Sequence, residues 1–178
     1  MGTAKQLLPL GPKPAIRHCL DSVVSAGVRD IVVVLGVVHD DIEAAVRGLP
    51  VRTAVNSDPQ SDMAGSVRTG LGAIDPAATA VLICLSDHPL VSAGTIAAIV
   101  RSHSEHADSI IIPRYQGRRG HPTLFPRAAI EHVVRGATLR DVIAARAGQV
   151  SLVDVDDEGI VLDMDTPEDY ARAKGFFS

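Results

Sequence analysis

Hydrophobic and polar positions along this chain fall into short aliphatic runs separated by amphipathic or polar stretches. Asp30 to Leu35 (DIVVVL) is a β-branched run that predicts a strand, and His39 to Arg47 predicts a short helix behind it. Val51 to Val55 predicts a second strand, which opens into the polar loop Asn56-Ser57-Asp58-Pro59-Gln60-Ser61-Asp62. Val67, Leu71 and Ile74 recur at helical spacing, so Ser66 to Ala73 reads as a helix. Val81 to Leu85 predicts a strand and about Ser92 to Ser102 a helix. Ser109 to Pro113 predicts another strand, with a short one at Thr123-Leu124-Phe125. Helices over Arg127–Val134 and Leu139–Arg146 precede a strand at Val150–Val155 and an apolar run, Gly159-Ile160-Val161-Leu162, read as a last buried strand. A final helix begins at Thr166, with Thr166 as N-cap, Pro167 in the first position, and Glu168 and Asp169 in the first turn.

This alternation predicts one domain over residues 1–178, a three-layer α/β/α fold with a Rossmann-like, mostly parallel sheet and right-handed crossovers. Continuous aliphatic runs suit strands buried on both faces. The chain holds no repeat, low-complexity tract or linker. With 178 residues, 46% of them hydrophobic, it can build one substantial core. Aromatic residues make up 3%, so that core must pack on Val, Ile, Leu and Ala.

A net charge of −4 argues against general affinity for DNA, RNA or anionic membranes. Cys19, on an expected helix, and Cys84, inside an expected buried strand, read as reduced core thiols. No apolar run approaches spanning length and no secretory segment opens the chain, so the expected location is the cytoplasm.

The chemistry-bearing positions are two acidic turns, Asp87-His88-Pro89 and Asp163-Met164-Asp165-Thr166-Pro167, each directly after an apolar run. In a parallel α/β sheet, residues just past strand ends gather on one edge, where ligands bind. Asp87 alone could simply cap its turn through backbone N–H groups. Paired with a second strand-end carboxylate, it reads as a ligand for a Mg²⁺ that bridges phosphates. Asp163 and Asp165 alternate, so only one should face the metal; Asp165, beside the helix cap, is favoured. Lys5, shortly after Gly2, suits a phosphate contact but would also be at home as a solvated surface residue. Arg118-Arg119-Gly120-His121-Pro122 reads equally as a clamp for an anion or as a hairpin-like surface loop.

Taken in order, MGTAKQLLPL, AVNSDPQSDMAGSVRTGL, LSDHPLV, YQGRRGHPTLF and LDMDTPEDY resemble the molybdenum cofactor nucleotidylyltransferases, and the cytidylyltransferase branch most of all. The resemblance spans essentially the whole chain. It implies the nucleotide-diphospho-sugar transferase type of fold, and transfer of CMP from CTP to a molybdopterin phosphate with release of pyrophosphate. Mg²⁺ would be the cofactor and a molybdoenzyme the eventual recipient of the product. Asp87 and Asp165 match the metal ligands, and Lys5 the phosphate-contacting lysine. Gly2, Asn56 and Ser66, with Lys5 and Asp87, match the nucleotide site. Arg119, Gly120 and His121 match the acceptor-side loop. A phosphate nucleophile is already anionic, so no dedicated base is required.

Two departures stand out. Family members begin with a strand and a Gly-rich phosphate loop, of which only the final Met-Gly matches here, so the expectation is a start downstream of the natural one. Asp62 stands where the family has Gly. Alternatives are a guanylyltransferase, another phospho-acceptor nucleotidyltransferase, or a non-catalytic cofactor-binding maturation factor.

Overall fold

The computed structural model describes residues 4–37 and 39–177. Aliphatic runs become strands and the stretches between them helices. A hairpin that the hydrophobic pattern does not foresee, β1 (Pro9–Leu10) with β2 (Lys13–Pro14), leads into α1 (Ala15–Ser25). There follow β3 (Val32–Leu35), α2 (Asp40–Val46), β4 (Arg52–Val55), α3 (Met63–Ala73) and β5 (Ala80–Ile83). The second half runs α4 (Ala93–Glu105), β6 (Ile110–Tyr115), β7 (Arg118–Arg119), β8 (Thr123–Pro126), α5 (Arg127–Val134), α6 (Leu139–Ala145), β9 (Val150–Asp154) and α7 (Pro167–Gly175).

β3 and β4 form a parallel pair, with Val32 opposite Arg52 and Leu35 opposite Val55. A larger sheet runs β5-β8-β6, with β9 and β7 also paired to β6. Within it β5, β6 and β9 point one way, as a parallel sheet requires, and β8 runs against both of its neighbours. The reversal starts in the β6–β7 hairpin, whose two turn residues Gln116 and Gly117 have φ of +47° and +82°. Positive φ at both central positions matches the right-handed twist of the flanking strands and folds the chain straight back. β3 pairs only with β4 and β5 only with β8, so each keeps one edge without a strand partner among the described residues.

The core divides along the same lines. Ile110, Ile112, Phe125, Ala129, Ile130 and Val133 pack β6 and β8 against α5. Ile16, Leu20, Val23, Val46 and Ile96 join α1, α2 and α4 on the side of β3. Both clusters are aliphatic but for Phe125, as the composition requires.

Two expectations are corrected. The run Gly159–Leu162 is not a strand: Glu158–Val161 is a 3-10 turn. The Gly159 N–H donates to Asp157 Oδ1 at 2.9 Å, and Ile160 is fully buried by packing with Ile16, Leu20 and Ile96 of α1 and α4 rather than by sheet pairing. Cys84 lies one residue past β5 and is exposed, not buried in a strand. Cys19 is half-buried on α1; burial, with Cys84 and Asp87 adding to it, pushes its thiol up to about 12. It is therefore a protonated thiol at neutral pH. Among the described residues no helix is long and apolar enough to cross a membrane.

Candidate active site

Three loops meet beyond the carboxyl end of β5: residues 86–91, residues 120–122 between β7 and β8, and residues 157–166. Backbone bonds join them directly. Met164 N–H donates to the Asp87 carbonyl at 3.0 Å, and His121 N–H to the Ile160 carbonyl at 2.9 Å. Two glycines make the approach close enough. A Cβ on Gly120 would stand 2.2 Å from the Ile160 carbonyl oxygen, and one on Gly159 2.4 Å from that of Leu90. Only glycine lets backbones approach to that distance.

Asp87 stands in the first of these loops. Its Oδ1 is buried and accepts no hydrogen bond. His88 Nε2 lies 4.0 Å from it, and His88 itself is 8% exposed, with its Nδ1 3.4 Å from the Gly159 carbonyl oxygen. The rings of His88 and His121 are 5.3 Å apart. Burial holds the His121 pKa below its ordinary value; His88 adds to this and Asp87 opposes it. His121 is thus neutral at pH 7, and its buried Nδ1 also lacks a partner.

Asp165 stands in the third loop, directly before Thr166, the N-cap of α7. That helix starts as the sequence predicts, with a reciprocal box. Asp169 N–H donates to Thr166 Oγ1 at 3.1 Å, and the Asp169 carboxylate takes the Thr166 N–H at 2.9 Å. The box fixes the turn and holds the Asp169 carboxyl below the usual carboxylate range. Lys5, in a 3-10 turn at Lys5–Leu7, donates from Nζ to Asp165 Oδ1 at 2.9 Å and to the Asp165 carbonyl at 3.1 Å. Lys5 and Asp165 are therefore brought together. The pair is largely exposed, so it contributes at most about 1 kcal/mol and breaks readily. Asp163 lines a separate shallow crevice with Leu90, Asp169 and Arg172.

The donor set fits a divalent cation. Asp87 Oδ1 is an orphaned, buried carboxylate oxygen, and the second acidic turn is bonded to its backbone. No group of three potential metal ligands exists among the described residues. Two carboxylates, completed by water and substrate phosphates, is how Mg²⁺ is usually held.

The nucleotide-side candidates sit beyond β4. Asn56 Nδ2 donates to Ser61 Oγ at 2.7 Å and reaches Ser66 Oγ at 3.4 Å, so Asn56 and Ser66 also converge. Asp62 caps α3, accepting from Gly65 N–H at 2.8 Å, which turns its charge toward the helix start. Arg119 is exposed on β7 beside Gly120 and His121, which are locked against Ile160. Gly2 lies outside the described residues. Sequence reasoning missed Asp157, whose carboxylate ties the 3-10 turn to the start of α4. Its signal was slight: one acid in a run of three, two residues before a glycine.

The mixed α/β sheet and the acidic turns gathered at one of its edges are those of the nucleotide-diphospho-sugar transferase fold. The fold is shared with a nucleotidyl transferase from Methanothermobacter thermautotroptrophicus, at TM-score 0.83 and 22% identity over 98% of this chain and 85% of that one. The chain belongs to the MobA-like NTP transferase domain family, whose model matches residues 1–151. It is accordingly an enzyme of the transferase class. It is similar to Rv0371c from Mycobacterium tuberculosis H37Rv, with 28% identity and TM-score 0.83 over 98% of this chain and 91% of that one. A manganese complex of that protein is also known. It is 30% identical to the nicotine blue oxidoreductase of Paenarthrobacter nicotinovorans, over 94% of this chain and 86% of that protein.

Proposed function

We propose that this protein is a cytoplasmic Mg²⁺-dependent cytidylyltransferase that moves CMP from CTP to the terminal phosphate of molybdopterin. One observation carries the reading: a buried, unpartnered carboxylate oxygen on Asp87, joined through the backbone to the turn that holds the Asp165–Lys5 pair. In the reaction an acceptor phosphate oxygen bonds to the α-phosphorus of CTP, the α–β bridging bond breaks, and pyrophosphate leaves. Bound Mg²⁺ supplies charge neutralisation at the phosphates, held by Asp87 and Asp165. Lys5 swings from Asp165 to the phosphate oxygens as a point charge. Asn56 and Ser66 present an amide and a hydroxyl to the nucleotide, while Arg119, Gly120 and His121 hold the acceptor. A neutral His121 donates or accepts a hydrogen bond there without adding charge. The nucleophile needs no base because it is anionic.

The test is calorimetry with CTP, GTP, ATP and UTP, with and without Mg²⁺, followed by pyrophosphate release in the wild type and in Asp87→Asn. Mg²⁺-dependent CTP binding, and transfer reduced about 10³-fold or more by D87N, is the expected result. Preference for GTP would replace the donor and keep the mechanism. A second reading comes from the similarity to a nicotine blue oxidoreductase over nearly the full chain. Redox turnover of nicotine blue with no pyrophosphate release would favour it.

A further inference from the structure

The carboxylate of Asp157 accepts three hydrogen bonds from two segments. Oδ2 takes the Ser92 N–H at 2.9 Å and the Thr95 hydroxyl at 2.6 Å; Oδ1 takes the Gly159 N–H at 2.9 Å. Ser92 is 65 positions away and is the N-cap of α4, so Asp157 also meets the positive end of a 13-residue helix. Thr95 is only 4% exposed; its hydroxyl accepts from Ser92 Oγ at 3.2 Å, and Asp157 takes the proton it donates.

The two segments joined in this way are the ones that carry the acidic turns. Ser92 follows Asp87 by five positions, and Gly159 precedes Asp165 by six. The Met164-to-Asp87 backbone bond is a second joint between them, and the His121-to-Ile160 bond ties the 120–122 loop to the turn Asp157 starts. Asp157 touches none of the residues proposed to hold substrate. Its effect is on where they stand.

We propose that Asp157 is a positioning residue: it fixes the spacing between the Asp87 and Asp165 turns, and so the geometry offered to a divalent cation and triphosphate. The inference rests on the nucleotidyltransferase reading of the site above. Mg²⁺ tolerates little departure from octahedral geometry, so two carboxylates on separate loops serve it only if the loops are held in register. Groups hydrogen-bonded directly to metal ligands change affinity about 10- to 100-fold when removed; Asp157 acts a step further back, through the backbone of the two turns, so its effect falls at the lower end of that range. Asp157→Ala would leave the Ser92 and Gly159 N–H groups unpaired and free the two turns to drift. Asp157→Asn keeps the shape and one acceptor oxygen, but aims an NH₂ group at donors, so it restores part of the staple.

The experiment measures Mn²⁺ binding to the full chain by electron paramagnetic resonance, with and without CTP. The proteins are wild type, Asp157→Ala, Asp157→Asn and Val133→Ala. Val133 is fully buried in the α5 core cluster, so V133A destabilises the fold without touching the loops. Expected is an about tenfold or greater loss of Mn²⁺ affinity in D157A, an intermediate loss in D157N, and none in folded V133A. Should D157A fail to fold, D157N against V133A carries the same comparison. Wild-type affinity in the folded Asp157 variants, or an equal loss in V133A, overturns the inference while the reading of the site stands. A wild type that binds no Mn²⁺ with CTP overturns that reading, and this inference with it.

Discussion

In the larger sheet, β6 is buried along its first four residues and β8 along its whole length; in the β3–β4 pair, every residue except Leu35 is at least partly exposed. The first region is held by interdigitated aliphatic side chains from both faces. The second depends more on polar clamps. Arg17 reaches from α1 to the Ala45 and Arg47 carbonyls, at 2.5 and 2.7 Å, closing the end of α2. Asp30, just ahead of β3, takes the Asp75 N–H at 2.7 Å and the Arg52 guanidinium. A two-stranded ribbon has little independent stability, so these clamps and the helices around it carry much of the load. The division has a functional side. Asp87 and the Gly120–His121 loop follow strands of the well-packed sheet, whereas Asn56 and Ser66 hang from the clamped pair. On the proposed reading, the cation-binding turn of Asp87 would follow the larger sheet and the nucleotide contacts the clamped pair.

The contrast is broken most directly by making a comparable deletion in each region. Ile111→Ala empties a fully buried position on β6 and should cost about 2–5 kcal/mol. Val33→Ala on half-buried β3 should cost about 1 kcal/mol. Urea unfolding of both variants checks this; equal losses would mean that the two regions are packed alike.

Glycines sharpen it further. At Gly120 a new Cβ meets the Ile160 backbone, which cannot yield without moving the loop junction, so Gly120→Ala should cost about 1–3 kcal/mol. At Gly72, on α3 beside β3, a Cβ meets nothing within 4 Å, and Gly72→Ala should gain up to about 1 kcal/mol through helix propensity. Thermal midpoints that move in opposite directions are the expected result. Movement in the same direction would show that the junction at Ile160 gives way.

What was legible in the sequence follows the reach of each cause. The start of α7 was readable because Thr166, Pro167 and Asp169 settle it among themselves. The Asp87 turn was readable because strand ends in an α/β fold share an edge; the Asp165 turn meets it through the Met164-to-Asp87 backbone bond although a 3-10 turn, not a strand, precedes it. Gly159–Leu162 was misread because an apolar turn buried against helices has the same hydropathy as a strand buried in a sheet; its turn is set by Asp157 and Leu90, both outside it. The place of β8 between β5 and β6 was also hidden, since strand order is decided by packing across the whole core. Asp157 escaped notice because its partners, Ser92 and Thr95, are remote in the chain and unremarkable as residues.

The smallest effect tests the clamp itself. Asp30 accepts the Asp75 N–H first and the Arg52 guanidinium second, and both hold its carboxyl below the usual carboxylate range. With a folded pKa below the unfolded value of about 3.9, the folded state binds fewer protons than the unfolded one. The clamp's contribution is therefore complete above the unfolded value and is lost as pH falls through the depressed folded one. The side chain is about one-third exposed, so solvent screening keeps the contribution small. Asp30→Asn should be less stable than the wild type at neutral pH, and the two should converge as pH falls through the depressed folded value. Amide exchange localises the change: as pH falls, protection in β3 and β4 should weaken before protection in β6, after allowance for the intrinsic pH dependence of exchange. If β6 loosens at the same pH, or if the asparagine variant keeps the wild-type pH profile, the two-stranded region is held by something other than this clamp.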